Sequence, residues 1–412
     1  MKTDLDALML EKGLDAILIT GPAQHNPGMV YMTGGGHVSS ADLIKKRGEE
    51  PVLFFNPMER DEAAKSGLKT KNLMDYNFTE LLKQSDGDYQ RAIAKRYLLM
   101  LTELGIDSGK LALYGRSEIG INYAIFSALQ REMPGLNLVG EINNSVLMLA
   151  RMTKDAAEIE RIRKMGKITT QVVAEVADYI TSQAVRDGIM VKSNGESLTI
   201  GDVKKRINLW LSERGAENPE DTIFAIGRDA GVPHSSGNPS DPLKLGQTIV
   251  FDIYPCEAGG GYFYDFTRTW CLGYAPDEVL SLYETVLSAY NQITSQLIVG
   301  KSFKDYQDLV CELFSAQGHP TIRENPQTQQ GYVHSLGHGI GLNIHERPWS
   351  GINSDDSDCL VPGVVFTIEP GLYYPDKGMG VRLENSLWAR PDGKMEVLAD
   401  YPMDLVLPVK AG

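Results

Sequence analysis

LKLGQTIVFD (243–252) and LVPGVVFTIE (360–369) follow one frame, in which a leucine, two residues, a glycine and five residues precede a carboxylate. In each case a glycine-containing turn follows, and a second apolar stretch then carries another carboxylate, Asp265 or Glu384. Short apolar runs between turn residues are typical of buried strands. The repeat therefore predicts two β-hairpins that each present two carboxylates to a shared centre.

Helical sequence precedes each of these units, over about 153–180 and about 276–298, so we expect a pseudo-duplicated α/β unit. Side chains alternate between the two faces of a strand, and Arg382 therefore shares a face with Glu384. This alternation predicts that Arg382 points into the same cavity as Glu384.

Four carboxylates and one imidazole occur in these stretches and in the glycine-rich segment HSLGHGIGLNIHERP, namely Asp252, Asp265, His338, Glu369 and Glu384. This donor set suits a pair of divalent ions such as Mn²⁺, Co²⁺ or Zn²⁺. Two ions bridged by carboxylates hold a hydroxide between them and polarise a carbonyl, which is the chemistry of hydrolysis. The sequence therefore predicts two divalent ions per chain, with manganese as the first choice.

Each acid also has a simpler explanation in its local sequence. A lone Asp252 or Asp265 would be interpreted as a strand cap or as the partner of Arg268. Glu384 has Arg382 nearby for an ion pair, and the glutamate of I-E-P-G precedes a turn proline. A carboxylate inside an apolar strand is costly to bury without a partner. Because such acids recur in matching apolar contexts, we expect a metal centre rather than separate ion pairs.

His334, His338 and His345 are three of the seven histidines of the chain. The spacing of His334 and His338 matches a helical zinc motif, but the glycines around them disfavour a helix. We expect an extended segment whose glycines allow close packing against the centre. His234 lies in the loop GRDAGVPHSSGNP, where a histidine is ordinarily solvated. For His334 and His345 the ordinary alternative is a hydrogen-bonded core residue.

Four motifs occur in the order D-x(n)-D-F-T-R-T, G-H-G-I-G-L-x-x-H-E, I-E-P-G and V-R-L-E-N. Together they resemble the pita-bread metallopeptidases, a family that includes methionine aminopeptidase, aminopeptidase P, prolidase and the metal-free creatinase. The resemblance is strong over residues 150–412 and weaker over residues 1–150. It implies an α/β (α+β) fold, with a pita-bread catalytic domain preceded by a smaller creatinase-like α/β domain.

The resemblance implies a division of the ligands between the two ions. Asp265 and Glu384 bridge the ions, Glu369 and His338 complete one of them, and Asp252 completes the other. Glu369 is also the implied carrier of protons to and from the water between the ions.

The resemblance further implies which residues meet the substrate. His334 and His345 match histidines that contact the substrate and the tetrahedral intermediate, and His234 matches a histidine that faces the substrate. We therefore expect Glu369, His345 and His234 to be catalytic. We expect His234, His334, His345 and Arg382 to bind the substrate, with Arg382 meeting a carbonyl or a terminal carboxylate.

The chain departs from the family pattern in two places. The family often has aspartate after the second glutamate, where this chain has Asn385. That change affects a neighbour of the ligands and is expected to shift metal affinity. The two aspartates of the first hairpin are slightly further apart than usual, and the insertion falls in the turn sequence EAGGG.

A chain of 412 residues is long for one domain and suggests two. Residues 1–150 alternate helical sequence with the apolar runs AILIT (16–20), VLFF (52–55) and LALYG (111–115), which predicts an α/β domain. Residues 151–412 form the predicted catalytic domain.

Two helices are expected at the start of the catalytic domain. The first covers about 154–180, with Thr153 as its N-cap and Lys154 on its polar face. The second covers about 200–214 and ends before a glycine. The polar segment 182–198 between them has no clear periodicity and is expected to be a loop or arm.

The net charge is −14 and there is no basic cluster, so a nucleic-acid partner is not expected. No apolar run approaches the ~18 residues that span a membrane, and MKTDLDALMLEKG lacks the apolar core of a signal peptide. Four scattered cysteines without a CxxC pair fit a reducing cytoplasm. Members of the resembled branch are commonly dimers, so a homodimer is expected.

These observations together predict a metallo-exopeptidase that cleaves peptides with proline in the second position, of the aminopeptidase P or prolidase type. The N-terminal domain argues against methionine aminopeptidase, whose usual form lacks it. Two alternatives stay open. One is a catalytically silent binding module of the same fold, against which the complete ligand set argues. The other is a non-peptidase member of the fold, a small-molecule hydrolase or a lyase.

Overall fold

The computed structural model describes residues 4–409 and separates into two units. The first unit contains residues 4–151 together with 259–261, and the second contains residues 152–258 and 262–409. Among the described residues, no helix combines the length and the apolar character that a membrane span requires.

The first unit is a mixed β-sheet with helices on both faces. The strand order is β4-β3-β2-β1-β5-β6, and β1 runs antiparallel to β2 but parallel to β5. The strands are β1 (Ala16–Gly21), β2 (Ala41–Lys46), β3 (Val52–Phe55), β4 (Lys69–Asn72), β5 (Gly109–Gly115) and β6 (Leu136–Val139). The helices are α1 (Leu5–Glu11), α2 (Pro27–Thr33), α3 (Arg60–Lys65), α4 (Phe78–Lys83), α5 (Tyr89–Glu103) and α6 (Ile119–Glu132), with α7 (Val146–Met152) at the end of the unit.

The central strands of this sheet are apolar runs because both of their faces are buried. Ile17 and Ile19 of β1 pack with residues of α1 and α2, whereas Ala16 and Leu18 pack with residues of α5 and α6 on the other face. Strands covered on both faces lose the polar alternation of a half-exposed strand. The predicted α/β architecture of this region is confirmed.

The second unit is built on two larger sheets, with strand orders β10-β11-β13-β21 and β15-β14-β16-β19-β20. Its helices are α8 (Ala156–Thr181), α9 (Ile200–Glu213), α10 (Asp277–Ser295) and α11 (Lys304–Ser315). Its strands are β7 (Ala184–Arg186), β8 (Ile189–Val191), β9 (Ala216–Glu217), β10 (Ile223–Ile226), β11 (Thr248–Ile253), β12 (Cys256–Glu257), β13 (Phe266–Leu272), β14 (His338–Gly339), β15 (Glu346–Trp349), β16 (Val365–Ile368), β17 (Gly371–Tyr374), β18 (Met379–Arg382), β19 (Asn385–Ala389), β20 (Met395–Val397) and β21 (Val406–Leu407).

The repeated sequence frame corresponds to a repeated structure. β11 pairs antiparallel with β13 in one sheet, and β16 pairs antiparallel with β19 in the other. The glycines of the frame, Gly246 and Gly363, have φ angles of 71° and 93°, a region that favours glycine, and each lies in the turn that enters its strand. The helices α8 and α9 precede the first pair of strands, and α10 and α11 precede the second. The predicted duplication is confirmed.

The start of α8 differs from the sequence prediction. Its N-cap is Asp155, which forms a capping box with Glu158, whereas Thr153 lies in an isolated β-bridge. An aspartate followed three residues later by a glutamate is the stronger capping signal. Lys154 precedes the helix and is buried, with its Nζ 3.2 Å from Oε2 of Glu346. The predictions for Thr153 and Lys154 were therefore wrong.

The segment between α8 and α9 is also more regular than expected. Residues 184–191 form the β7–β8 hairpin, closed by Asp187 and Gly188, whose φ angles are 50° and 75°. An Asp-Gly pair with positive φ at both residues is the signature of a two-residue hairpin turn. The expectation of a loop or arm was wrong because three-residue strands are too short to show a period.

Gly166 allows α8 to approach Tyr264 closely, since a Cβ on this glycine would lie 2.6 Å from Cε2 of Tyr264 and 2.9 Å from Cβ of Ala399. We predict that Gly166→Ala lowers the free energy of unfolding by about 1–3 kcal/mol through overpacking, although alanine is the better helix former. Urea denaturation followed by circular dichroism measures this change. At Gly140 an added Cβ meets nothing within 4 Å, so Gly140→Ala should stay within about 0.5 kcal/mol. Equal effects of the two substitutions would contradict the close approach.

Candidate metal centre

The first hairpin supplies two carboxylates from one face. Asp252 lies on β11, and Asp265 immediately precedes β13. Asp252 stands opposite Thr267 in the antiparallel register, and alternation along β13 puts Asp265 on the same face as Thr267. The longer EAGGG turn therefore leaves both acids directed to one side.

The second hairpin repeats this arrangement and meets the first. Glu369 directly follows β16, and Glu384 directly precedes β19. Thr267 and Glu384 form a β-bridge between the two sheets, and Oγ1 of Thr267 donates a hydrogen bond to Oε2 of Glu384 at 2.7 Å. His338 comes from β14, which pairs with β16. The fold thus brings all five predicted ligands to one place.

Metal-ligating atoms converge at this centre. Nε2 of His338 lies 3.5 Å from Oδ2 of Asp265 and 3.5 Å from Oε1 of Glu369. Asp265, His338 and Glu384 each offer one atom within 4.8 Å of the others. Three buried oxygens, Oδ1 of Asp252, Oδ1 of Asp265 and Oε1 of Glu384, have no hydrogen-bond partner among the described residues. Buried oxygens in this state are costly, and a bound cation would satisfy them, so the residues present fit a metal ion.

Burial and mutual repulsion raise the pKa values of the acids. Burial, followed by the charges of Glu384 and Asp252, raises the pKa of Asp265 well above its ordinary value. Burial and then Glu384 do the same for the pKa of Glu369. Burial and then Asp252 raise the pKa of Glu384 to about 8. Divalent cations would provide the counter-charge that lets these acids ionise together.

His338 is held in the tautomer that a metal ligand requires. Its Nδ1 lies 3.0 Å from the carbonyl oxygen of Gly339, so Nδ1 carries the hydrogen and Nε2 presents a lone pair to the acids. Burial, followed by the neighbouring His345, lowers the pKa of His338 to about 3, so the ring is neutral at physiological pH. The rings of His338 and His345 meet edge to face, with centroids 4.4 Å apart.

A cavity of about 470 Å³ lies over the centre. Every residue that we had selected from the sequence contributes to its lining: His234, Asp252, Asp265, His334, His338, His345, Glu369, Arg382 and Glu384. As strand alternation predicted, Arg382 and Glu384 line the same cavity. The segment around His338 is extended, as expected, and a Cβ on Gly337 would lie 2.0 Å from the carbonyl oxygen of Thr367, which explains the need for glycine there.

Arg382 forms an ion pair, but its partner is Asp252 and not Glu384. Nη2 of Arg382 lies 2.6 Å from Oδ2 of Asp252, and Nη1 donates a hydrogen bond of 2.8 Å to the hydroxyl of Tyr373. The Tyr373 hydroxyl also lies 2.8 Å from Nε2 of His334, whose Nδ1 contacts the carbonyl oxygen of Ser335. Because burial and then Arg382 lower the pKa of His334 to about 3, Tyr373 donates to a neutral imidazole.

Arg268 does not pair with either aspartate of the first hairpin. Its guanidinium donates to the carbonyl oxygens of Thr267 and Glu384 and to Oδ1 of Asn385, at 2.8–3.0 Å. Nδ2 of Asn385 donates to the hydroxyl of Tyr290 at 2.6 Å. Asn385 therefore connects Tyr290 to Arg268, which holds the carbonyl oxygen of the candidate ligand Glu384, and its expected effect on metal affinity stays a prediction.

Sequence analysis missed several residues that line or order the cavity. Tyr373 orders both Arg382 and His334, but in the sequence it is one tyrosine in the apolar run GLYY. Glu220 and Tyr254 line the cavity without belonging to any motif used above. Glu220 lies three residues before the start of β10, and only the pairing of β10 with β11 brings it near the cavity.

Comparison with known proteins places this arrangement in a class. The metallopeptidase family M24 matches residues 160–391, and the creatinase/prolidase N-terminal domain matches residues 3–143. The Xaa-Pro dipeptidase of Pyrococcus furiosus is 30% identical over 399 residues, covering 95% of this chain and 97% of that protein. The solved X-Pro aminopeptidase of Thermotoga maritima has a TM-score of 0.72 and 25% identity, covering 96% of this chain and 98% of its own. The Xaa-Pro dipeptidase of Bacillus anthracis has a TM-score of 0.74 and 22% identity, covering 98% and 97% of the two chains, and shows likeness of fold.

The fold and the site define a metallopeptidase with a pita-bread catalytic region and a creatinase-like N-terminal region, as the sequence motifs predicted. The chain belongs to metallopeptidase family M24.

The raised pKa of Glu384 leads to a prediction about pH. Its pKa of about 8 in the folded protein lies above the ordinary value of 4.5, so protonation stabilises the metal-free fold. That contribution is complete below about pH 4.5 and is lost as the pH rises through about 8. Metal binding requires the deprotonated ligand. The rise in Tm caused by Mn²⁺, measured by calorimetry, should therefore be larger at pH 8 than at pH 6.

The control for this titration is Glu384→Gln without metal. Its Tm should change less between pH 6 and pH 8 than that of the metal-free wild type, because the titrating group is gone. An equal Mn²⁺-induced shift in the wild type at both pH values would contradict the assignment.

Proposed function

We propose that this metallopeptidase is an exopeptidase that uses two divalent metal ions to hydrolyse Xaa-Pro peptide bonds. The observation that supports the metal centre is the set of buried carboxylate oxygens, on Asp252, Asp265 and Glu384, that have no hydrogen-bond partner among residues 4–409. Several buried carboxylates without hydrogen-bond partners are costly unless cations bind to them. The cavity above them has room for the end of a peptide.

We propose that Asp265 and Glu384 bridge the two ions, with His338 and Glu369 completing one set and Asp252 the other. The central position of Asp265 and Glu384 supports their bridging role, because both lie within reach of His338. When bound, two divalent ions lower the pKa of water and polarise a carbonyl oxygen. Manganese is the proposed metal, since oxygen ligands outnumber the single nitrogen.

The residues around the ligands have proposed roles in proton transfer and binding. Glu369 lies at the cavity wall, and burial followed by the charge of Glu384 raises its pKa, which suits a carboxyl that gives and takes a proton. His345 stands against His338 and faces the cavity, so it is proposed to hold the reacting carbonyl group. His234 is proposed to approach the substrate from the loop before β11.

The proposed preference for proline rests on the wall formed by His234, His334 and Arg382. The peptide nitrogen of an Xaa-Pro bond is tertiary and offers no hydrogen, so a suitable site must not demand a donor there. Imidazole faces give the pyrrolidine ring apolar contact and keep polar edges for the backbone. The names of the relatives support the same preference, since they include an Xaa-Pro dipeptidase and an X-Pro aminopeptidase.

Further proposals concern the organisation of the protein. We place an N-terminal domain at residues 1–150 and the catalytic domain at residues 151–412, close to the division between the two units. A cytoplasmic location is supported by Cys256, Cys271 and Cys311, which are free and buried. A homodimer remains a proposal from the sequence resemblance.

Metal analysis tests the two-ion centre. The reconstituted protein should bind about two equivalents of Mn²⁺ per chain by inductively coupled plasma mass spectrometry. Asp265→Ala should lose both ions, because Asp265 is the proposed bridge. Asp305→Ala, on the exposed face of α11, is the matched control and should keep both. Full occupancy in Asp265→Ala would remove Asp265 from the centre.

Peptide hydrolysis tests the proline preference. Ala-Pro or Ala-Pro-Ala should be cleaved at least tenfold faster in kcat/KM than Ala-Ala or Ala-Ala-Ala, a difference of about 1.4 kcal/mol in transition-state binding. Within Arg382→Ala, dipeptide cleavage should fall further than tripeptide cleavage if Arg382 holds the terminal carboxylate. Because both substrates are measured on the same variant, the effect of losing the ion pair with Asp252 is common to both rates and cancels in their ratio. Equal rates for proline and alanine peptides would leave a general metallopeptidase.

A further inference from the structure

Besides the candidate ligands, the lining of the cavity contains two groups of polar residues with different chemistry. His234, His334 and Arg382 line one wall and offer imidazole and guanidinium groups. Glu220 and Asp221 line another part of the same cavity and offer carboxylates that do not belong to the metal centre. A cavity with acids at one wall discriminates substrates by charge.

Strand pairing places the acidic wall beside the metal centre. Glu220 and Asp221 lie just before β10, and Ile223 of that strand stands opposite Asp252 of β11. The chain that leads into β10 therefore runs alongside Tyr254, which follows Asp252 on the same strand face and also lines the cavity. The pairing of β10 with β11 therefore fixes the position of the backbone from which Glu220 and Asp221 extend.

Glu220 is the acid whose charge is free to act on a ligand. Oδ2 of Asp221 accepts a hydrogen bond of 2.8 Å from Nζ of Lys204, which compensates its charge. Glu220 is exposed and forms no hydrogen bond or ion pair within residues 4–409. An exposed carboxylate at a cavity wall gains a partner without a large desolvation cost.

The charge of Glu220 is felt inside the cavity. Burial lowers the pKa of His345, and Glu220 is the first charge that opposes this lowering. Burial, Asp252 and Asp265 raise the pKa of Tyr254, and Glu220 and Asp221 add to the rise. His345 and Tyr254, which come from two different segments of the chain, therefore both lie within the electrostatic range of this carboxylate.

We infer that Glu220 selects substrates whose first residue carries a cationic side chain, lysine or arginine. The inference rests on the proposed function: with proline at the wall of His234, His334 and Arg382, the side chain of the first residue is proposed to extend along Tyr254 towards Glu220. A long side chain with a terminal cation reaches an exposed carboxylate while its apolar stem lies along Tyr254.

The test compares Lys-Pro with Met-Pro, which has a side chain of similar length without charge. Lys-Pro should be cleaved with a kcat/KM about three- to fivefold higher, as befits a solvent-exposed ion pair, and the ratio should fall towards one in 0.5 M NaCl, by the screening that shortens the Debye length to ~4 Å. Glu220→Gln should bring the ratio to about one, and Glu220→Lys should invert it. Glu278→Gln, an exposed glutamate on α10, is the control and should keep the wild-type ratio.

The outcomes separate this inference from the proposed function. Lys-Ala and Met-Ala are measured beside the proline peptides in the same assay. Equal rates for Lys-Pro and Met-Pro, with proline selectivity retained, would overturn the role of Glu220 and leave the proposed function intact. A preference for lysine without selectivity for proline would support the role of Glu220 and overturn the proposed function. If Glu220→Gln slowed Lys-Pro and Met-Pro by the same factor, Glu220 would serve the N-terminal ammonium that both share, and the inference would fail.

Discussion

The constraint on which this structure depends is the burial of several carboxylates at one point. Asp252, Asp265 and Glu384 are almost removed from water and keep oxygens that no described residue satisfies. Burial, and then the like charges of the neighbouring acids, opposes ionisation and raises the pKa values of Asp265 and Glu384. A chain would not retain such a cluster for stability, because apolar residues of the same size would pack more favourably. This reasoning supports the proposal that divalent cations bind between these acids.

Duplication solves the geometric problem of collecting these acids. A strand delivers one carboxylate per face every second residue, so a single strand cannot surround an ion. Two hairpins, each with one acid near a strand end and another where the second strand begins, meet through the bridge of Thr267 and Glu384. The hydroxyl of Thr267 adds a hydrogen bond across this junction, so the two halves are fixed to each other at the ligands themselves.

Around the acids lies a chain of polar contacts that fixes charge and tautomer. Arg382 provides the single buried guanidinium that pairs with a candidate ligand, Asp252, among the described residues. Tyr373 connects this guanidinium to the imidazole of His334, which burial and then Arg382 keep neutral at the cavity wall. Buried networks of this kind are costly unless every member is satisfied, and here the hydrogen-bond donors have partners. The result is a cavity whose walls are preorganised and chemically distinct.

The sequence by itself determined the elements that have a local period, and with them the contents of the cavity. The repeated frame ending in Asp252 and Glu369 predicted both strand pairs, because apolar alternation and turn glycines are local properties of the chain. Only the tertiary structure decided which polar groups pair. Lys154 is buried and forms an ion pair with Glu346. Arg382 forms its ion pair with Asp252, although Glu384 lies only two residues away in the sequence. The physical reason is that the period of a strand determines which face a side chain occupies. The ion-pair partner of that side chain depends instead on which strand, distant in sequence, packs against that face.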